Sequence, residues 1–262
     1  MCNRVFWNTI NFSSELLTLG AIMSKQLLCA VVVAAAFLAI PNVQAQTSLP
    51  VAIPQSTIPD AKTLEFTRKK ADEGNSIAQF NMGIYCEKGW AVPADAAAAR
   101  EWYLKASDQG HVKAQFNLAL MHLRGDGGPK DAQAAIKYLT MAADQNDAGA
   151  QNTLGAIYEE GAGVPKNAKL ALSFYMKAAE AGNVGAMAAL GSMYRTGRGT
   201  ERDAVKAAAW YLKAAEGGHA LAQERIGYMY ATGQGVPRDP VASAKWTGLA
   251  KDAGVRITNV TE

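Results

Sequence analysis

The sequence predicts an all-α fold, a solenoid of antiparallel helix pairs. An 18-residue block recurs five times without insertion. In each block a glycine follows the first predicted helix, and an Asp or Asn at the end of the block precedes the second predicted helix. A fixed period between 20 and 50 residues is typical of arrays in which like units stack on one another. The blocks begin 36 residues apart, at Ala78, Ala114, Ala150, Ala186 and Ala222.

The N-terminal residues indicate a secretory signal peptide. The basic start Met23–Gln26 precedes the apolar run Leu27–Ile40, and small residues then lead to a cleavage site after Ala45. This is the three-part plan of a cleaved signal, although the run alone would also suit a buried core helix. We therefore expect translation to start at Met23, with 1–22 as upstream sequence, 23–45 as the signal peptide, and a periplasmic or secreted mature protein.

The segment after the signal predicts a linker and then a single helix. Residues 46–63 contain Pro50, Pro54 and Pro59, which favour an extended chain. Residues 64–77 form the predicted leading half-repeat. The complete repeats are assigned to 78–113, 114–149, 150–185, 186–221 and 222–255, with 256–262 as a C-terminal tail.

Helix A, the first helix of each repeat, begins at the recurring alanine and ends at a glycine. A glycine adopts the left-handed conformation that closes a helix without the penalty of a Cβ atom. The predicted terminating residues are Gly89, Gly125, Gly161, Gly197 and Gly233.

Helix B, the second helix, is predicted to begin after a capping Asp or Asn. Such side chains accept hydrogen bonds from the free N–H groups of the first turn. The predicted caps are Asp95, Asp131, Asn167, Asp203 and Asp239. A stripe of Ala, Trp and Tyr follows at helical spacing, for which Ala99, Trp102 and Tyr103 are the example in repeat 1. Helix B then stops at Gly110, Asn146, Gly182, Gly218 or Gly254.

One repeat loop, from Gly161 to Asn167, superficially suggests a phosphate-binding loop because it holds two glycines and Lys166. Its spacing differs from that of a Walker-type loop. The counterparts of Lys166 in the other repeats include Ala94, and Asn167 occupies a cap position. We therefore interpret the loop as a turn between two helices and Lys166 as a variable, solvated position.

Composition and side-chain inventory favour a binding protein over an enzyme. The net charge is +3 with both signs interspersed, so no polybasic surface for nucleic acid is indicated. His111 and His219 occupy a turn position shared with Asp147, and His122 replaces an aromatic packing residue. After cleavage Cys86 is the one remaining cysteine, so an internal disulfide is excluded. We predict no catalytic centre, cofactor or metal, no nucleic-acid partner, no integral membrane segment in the mature chain, and a monomer.

The repeat pattern resembles the Sel1-like repeat, a relative of the tetratricopeptide repeat. The clearest copies are "LGAIYEEGAGVPKN" with "SFYMKAAEAGN" and "LGSMYRTGRG" with "AAAWYLKAAEGGH", and the resemblance covers about residues 64–255. Departures are local: Thr200 and Glu201 replace Val-Pro, Tyr138 and Leu139 replace Trp-Tyr, and Cys86 replaces a tyrosine. The resemblance implies a right-handed superhelix that binds proteins, often as an exported adaptor or regulator in bacterial envelope signalling or host contact.

The same resemblance implies an enzymatic alternative. Cysteine-rich relatives of this repeat are described as binding penicillins or cleaving β-lactams, and they carry a cysteine pair in each repeat. The mature chain has Cys86 alone. We therefore disfavour β-lactam binding or hydrolysis, and turnover of nitrocefin by the purified protein would reverse that ranking.

A candidate partner-binding surface follows from the variable positions of helix A, which we expect to line the concave face. Repeats 1 and 2 are unusually apolar at these positions, and exposed apolar patches tend to be interaction sites. The alternative is that these residues pack against the leading helix near Leu64 and Phe66. The candidate residues are Phe80, Asn81, Ile84, Phe116, Asn117, Leu120 and Leu123.

Overall fold

The computed structural model describes residues 58–256, and the predicted upstream extension, signal peptide, cleavage site and last residues of the tail lie outside them. Across the described residues the chain forms eleven helices and no strand. The helices are α1 (Ala61–Asp72), α2 (Ser76–Lys88), α3 (Ala96–Asp108), α4 (Val112–Arg124), α5 (Ala132–Asp144), α6 (Ala148–Glu160), α7 (Ala168–Glu180), α8 (Val184–Thr196), α9 (Ala204–Glu216), α10 (Ala220–Thr232) and α11 (Pro240–Asp252).

The helices pack consecutively, as the 36-residue period predicts. Each even-numbered helix packs most extensively on the odd-numbered helix that follows it, so α2 with α3 through α10 with α11 are the A and B helices of the five repeats. Each helix B also packs on the next helix A, and α1 packs on α2 in the same way. The all-α solenoid predicted from the sequence is therefore confirmed.

Helix A begins two residues earlier than the recurring alanine, because a residue further upstream caps it. The Asn75 side chain accepts a hydrogen bond from the N–H of Ala78, and Asp147 and Asn183 do the same in later repeats. In α4 and α10 the cap is a histidine: His111 Nδ1 lies 3.2 Å from the N–H of Ala114. Likewise α1 begins at Ala61, three residues before the predicted boundary, because Asp60 caps it.

Helix B begins and helix A ends at the predicted residues. Asp95, Asp131, Asn167, Asp203 and Asp239 each accept a hydrogen bond from an N–H in the first turn of helix B. The glycines that end helix A are left-handed, as in Gly161 with φ of 75°. After helix B, the second residue beyond the end of the helix is left-handed. Gly110 and its counterparts occupy this position, and in repeat 2 it is Asn146, with φ of 64°.

Within a repeat, helix A and helix B approach closely where a glycine faces a tyrosine ring. A Cβ atom added to Gly83 would lie 2.5 Å from Tyr103, and one added to Gly191 would lie 2.7 Å from Tyr211. Repeat 2 has Leu139 in place of the tyrosine and Ala119 in place of the glycine, and both are fully buried. In repeats 1 to 4 the contact between helix A and helix B is therefore filled either by a glycine with a tyrosine or by an alanine with a leucine.

Between repeats, the loop of one repeat lies against the start of helix B in the repeat before. Gly199 is left-handed with φ of 71°, and a Cβ atom there would lie 2.3 Å from the carbonyl oxygen of Ala168. Gly127 and Gly235 meet Ala96 and Ala204 in the same manner. In repeats 2 to 5 the second glycine of the loop is thus favoured by contact between repeats as well as by backbone conformation, whereas repeat 1 has Ala91 at this position with φ of 57°.

A buried glutamine on helix A bridges neighbouring repeats. Gln79 donates from Nε2 to the carbonyl oxygen of Ala71 at 3.1 Å and accepts at Oε1 from Gln109 at 2.6 Å. Gln151 donates to Ala143 at 3.2 Å, but its Oε1 has no hydrogen-bond partner. The counterpart of Gln109 in that repeat is Ala181, which cannot donate a side-chain hydrogen bond.

Candidate functional site

The helix-A face is the surface formed by the second, third, sixth and ninth residues after each recurring alanine. In repeats 1 and 2 it is mainly apolar, and in repeat 3 it holds Asn152 and Ala156 at the places of Phe116 and Leu120. Repeats 4 and 5 carry Arg195 and further polar residues there. The face is Phe80, Asn81, Ile84 and Glu87; Phe116, Asn117, Leu120 and Leu123; Asn152, Thr153, Ala156 and Glu159; Ala188, Ala189, Ser192 and Arg195; and Glu224, Arg225, Tyr228 and Ala231.

Phe80 is held in place by two rings. It stacks on the imidazole of His111 with ring centroids 4.6 Å apart and an interplanar angle of 22°. On another side it meets Tyr103 at 5.8 Å. Phe80 and Ile84 remain half-buried against the core around Tyr103. The contacts with His111 and Tyr103 cover part of the Phe80 ring, and the rest of the ring remains accessible.

The ring contacts of Phe80 are with His111 and Tyr103, whereas the leading helix packs through another cluster. Leu64 belongs to a separate cluster with Ala71 and Met82. Phe66 is 62% exposed. The partners of Phe80 thus come from the helices that follow it.

Repeat 2 divides its candidate residues between surface and core. Phe116 and Leu120 are half-buried, and the Phe116 ring lies against Gly149 at the start of the next helix A. Leu123 is 8% exposed and belongs to the core. The prediction that Leu123 lines an accessible groove is therefore wrong. In repeats 1 and 3 this position holds a glutamate whose carboxylate accepts a hydrogen bond from a tyrosine hydroxyl of helix B. Repeat 2 has Leu139 in place of that tyrosine, and the aliphatic side chain of Leu123 packs in the core.

The two candidate asparagines differ in what they contact. Asn117 hydrogen-bonds the hydroxyl of Tyr103, and that hydroxyl donates to Glu87 Oε2 at 2.7 Å. Burial, followed by the nearby Glu87 carboxylate, raises the pKa of Tyr103 far above its usual value. Asn117 is thus committed to an internal network, whereas Asn81, half-buried one repeat earlier, is the better donor for a partner's backbone.

Repeat 3 has an equivalent network extended by an arginine. The Tyr175 hydroxyl donates to Glu159 Oε2 at 2.9 Å, and Arg198 from the next repeat pairs with Glu159 Oε1 at 2.6 Å. Burial, then the Glu159 charge, raises the pKa of Tyr175. In repeat 3 the helix-A face therefore holds a polar network, and Arg198 links this network to repeat 4.

In repeats 4 and 5 several arginines serve the fold. Arg202 donates from Nε to the carbonyl oxygen of Arg195 at 3.2 Å, and Arg238 donates to Ala231 at 3.0 Å. Each guanidinium thus satisfies a free carbonyl at the end of helix A. The position predicted to be variable and solvated, which Lys166 shares, stabilises a helix terminus in these two repeats.

Cys86 and the three histidines of the described residues each have a structural contact of their own. Burial raises the pKa of the Cys86 thiol, which disfavours the reactive thiolate. His122 stacks on Tyr138 at 5.6 Å and contacts the Arg100 guanidinium, while His111 and His219 cap helices. Burial lowers the pKa of each imidazole. Among the described residues no cluster of His, Cys, Asp or Glu is arranged to hold a metal ion.

The helices described here are also too short or too polar to cross a bilayer. What remains is a regular stack of helix pairs with one face that is apolar at its N-terminal end. That combination defines a helical-repeat scaffold of the tetratricopeptide-like class.

Comparison with known proteins identifies the family. The Sel1 repeat model matches residues 76–111, 112–147, 148–183, 184–219 and 220–255. The chain belongs to the Sel1 repeat family, as its sequence predicts. Proteins built from this repeat are in general scaffolds for protein–protein interaction.

Two solved structures are similar in both fold and sequence. One is c5321, described as a protective antigen of uropathogenic Escherichia coli with an SLR fold; it is 34% identical, with a TM-score of 0.71 over 73% of this chain and 41% of that one. The other is a Sel1 repeat protein from Oxalobacter formigenes, 38% identical, with a TM-score of 0.65 over 69% of this chain and 72% of that one. This chain thus spans about two fifths of the length of c5321. A comparison with curated proteins found no match.

Proposed function

We propose that this protein is an exported scaffold of the bacterial envelope that holds a segment of another protein on the helix-A face of repeats 1 and 2. The observation that carries the proposal is the row of half-buried apolar side chains Phe80, Ile84, Phe116 and Leu120. Repeats 3 to 5 place small or polar residues at most of the equivalent positions. An apolar strip confined to one end of a repeat stack is the kind of surface that a partner covers.

The strip combines fixed and accessible surface. Phe80 is braced by His111 and Tyr103, so little side-chain entropy is lost when a partner covers its free edge. Asn81 lies beside it and is suited to donate to a partner's backbone carbonyl. We expect an extended or helical segment with apolar side chains on one side to fit this surface.

Export rests on the signal-like sequence before Gln46. The description of c5321 as a protective antigen supports a location where antibodies reach that protein, and we extend an extracytoplasmic location to this chain. A role as an envelope regulator, with the external part of a membrane sensor as the partner, is a narrower form of the same proposal. Recovery of a processed protein beginning at Gln46 from the periplasm or the medium is the expected result; a cytoplasmic protein that retains its N-terminus would contradict export.

Site-specific photo-crosslinking tests the binding face. A benzophenone amino acid is placed at Leu120, and a matched control places it at Leu104, which is 40% exposed on α3. Crosslinked partners are identified by mass spectrometry from envelope extracts. We expect a defined adduct from position 120 that is lost when Phe116→Asn and Ile84→Ala are added, because these substitutions copy the residues of repeat 3. Equal adducts from both positions would place the partner elsewhere.

A further inference from the structure

His111 joins a helix cap to the candidate binding face. Its Nδ1 accepts the hydrogen bond from the N–H of Ala114 at 3.2 Å, which caps α4. The face of the same imidazole stacks on Phe80, with centroids 4.6 Å apart. One titratable ring therefore determines both the start of a helix and the position of an aromatic side chain on the helix-A face.

The cap requires the neutral imidazole. Neutral histidine with its proton on Nε2 has a free lone pair on Nδ1, whereas protonated histidine donates from both nitrogens and accepts from neither. A positive charge at this position also faces the positive end of the α4 dipole. Protonation must therefore break the bond to Ala114, and the ring that stacks on Phe80 then loses the contact that orients it.

The surroundings of His111 oppose its charge. Burial lowers the pKa of the imidazole first, and Lys113 on α4 adds to the effect. From α2 the group that faces it is the uncharged Phe80 ring, behind which lies Tyr103 of α3, whose hydroxyl is bonded to Glu87. Among the described groups we find no carboxylate next to the ring that would retain an added proton.

We propose that His111 is a proton-sensitive latch that lowers partner binding on the helix-A face when the surroundings become acidic. The proposal rests on the proposed function, because the face it regulates is the one assigned there. In neutral surroundings the latch is closed: α4 is capped and Phe80 is stacked. On protonation the cap opens and Phe80 loses the ring against which it is held.

The chain contains its own control for this latch. His219 caps α10 in the same way, with Nδ1 3.2 Å from the N–H of Ala222. At the place of Phe80 this repeat has Ala188, which is 8% exposed and has no ring to stack. Protonation of His219 therefore opens a cap without disturbing the apolar strip, and the two histidines separate a loss of capping from a loss of the binding surface.

Nuclear magnetic resonance of the full mature chain tests the latch without a partner. We expect the Phe80 ring signals to shift with the same midpoint as the His111 imidazole. The protection of the Ala114 amide, which is its intrinsic exchange rate at each pH divided by its measured rate, should fall about fivefold below that midpoint, the ratio that corresponds to the loss of an N-cap. In His111→Asn, which keeps a capping side chain as at Asn183, both changes should vanish. A His111 titration that leaves Phe80 and Ala114 unmoved overturns the proposal.

The binding arm uses the crosslinker at position 120 at about pH 7.5, one unit above the ordinary imidazole pKa, and at a pH one unit below the His111 midpoint found by nuclear magnetic resonance, because burial lowers the pKa of this imidazole. Adduct yield should fall about fivefold at the lower pH in the otherwise unchanged protein and in His219→Asn, but not in His111→Asn. A yield that is the same at both pH values overturns the latch and leaves the proposed function intact. Absence of any adduct at both pH values removes the binding face itself, and with it the regulation.

Discussion

The packing of glycine against tyrosine within a repeat makes a quantitative prediction. In repeat 4 the ring of Tyr211 lies directly over Gly191, so a Cβ atom at residue 191 would be 2.7 to 2.8 Å from three ring carbons. Ordinary contacts between carbon atoms are about 3.5–4.0 Å. Gly191→Ala must therefore push the ring or the helix away by several tenths of an ångström.

Two opposing terms decide the effect of Gly191→Ala. Overpacking a filled core costs about 1–3 kcal/mol. Replacement of a mid-helix glycine by alanine stabilises the helix by about 1 kcal/mol. With Tyr211 present the first term outweighs or cancels the second, whereas with Tyr211→Leu the ring is gone and the second term stands alone.

Repeat 2 is the natural precedent, since Ala119 and Leu139 occupy the same two positions and are fully buried. Urea unfolding of the four proteins in the cycle, followed by far-ultraviolet circular dichroism, measures the coupling. We expect Gly191→Ala to stabilise the Tyr211→Leu variant by about 1 kcal/mol and the coupling energy to be about 1–3 kcal/mol. If the alanine has the same effect with and without the tyrosine, the ring contact does not explain the glycine.

Three further predictions address contacts between repeats and helix caps. Gly199→Ala should lower the free energy of unfolding by about 1–3 kcal/mol more than Gly182→Ala, because both residues are left-handed but only the first meets backbone of the preceding repeat; equal losses in urea titrations would contradict this. Ala181→Gln should stabilise the protein by about 1 kcal/mol, measured in the same way, by donating to the unpaired Oε1 of Gln151, whereas no gain would mean that the bond does not form. Burial lowers the pKa of His219 below its ordinary value of 6.5, so the folded protein favours the neutral ring, and its contribution is complete above that pH and is lost as the pH falls. His219→Asn should therefore flatten the decline of unfolding free energy below pH 6.5, and an unchanged slope would exclude the imidazole as its source.

The candidate site was only partly visible in the sequence. Comparison of repeats identified Phe80 and Leu120 as large apolar residues at positions that are mostly small or polar in repeats 3 to 5, and both are half-buried in the structure. The same comparison could not show that Leu123 turns into the core or that Asn117 bonds to Tyr103. Each of those outcomes depends on a side chain of another helix: Leu139 for Leu123, 16 residues away in the chain, and Tyr103 for Asn117, 14 residues away.

The histidine caps were missed for a chemical reason. Asn75, Asp147 and Asn183 belong to the residue types that cap helices, and their alignment with His111 and His219 was the signal that a cap lay there. Histidine does the same task only as one tautomer in one orientation. The sequence shows the position but not the ring geometry that places His111 against Phe80.

What the sequence determined by itself is local and periodic: the repeat length, the helix pairs, the Asp and Asn residues that start helix B, and the left-handed residues that follow each helix, which are glycines except Asn146. Backbone conformation and hydrogen bonding within a few residues decide all of these, so they are present in every copy. Only the tertiary structure decided which side chains meet across helices, such as Gln79 with Gln109 and His111 with Phe80 in repeat 1, and Glu159 with Arg198 between repeats 3 and 4. Those contacts depend on the distance and angle at which the helices pack, and residues at the same place in different repeats meet different neighbours.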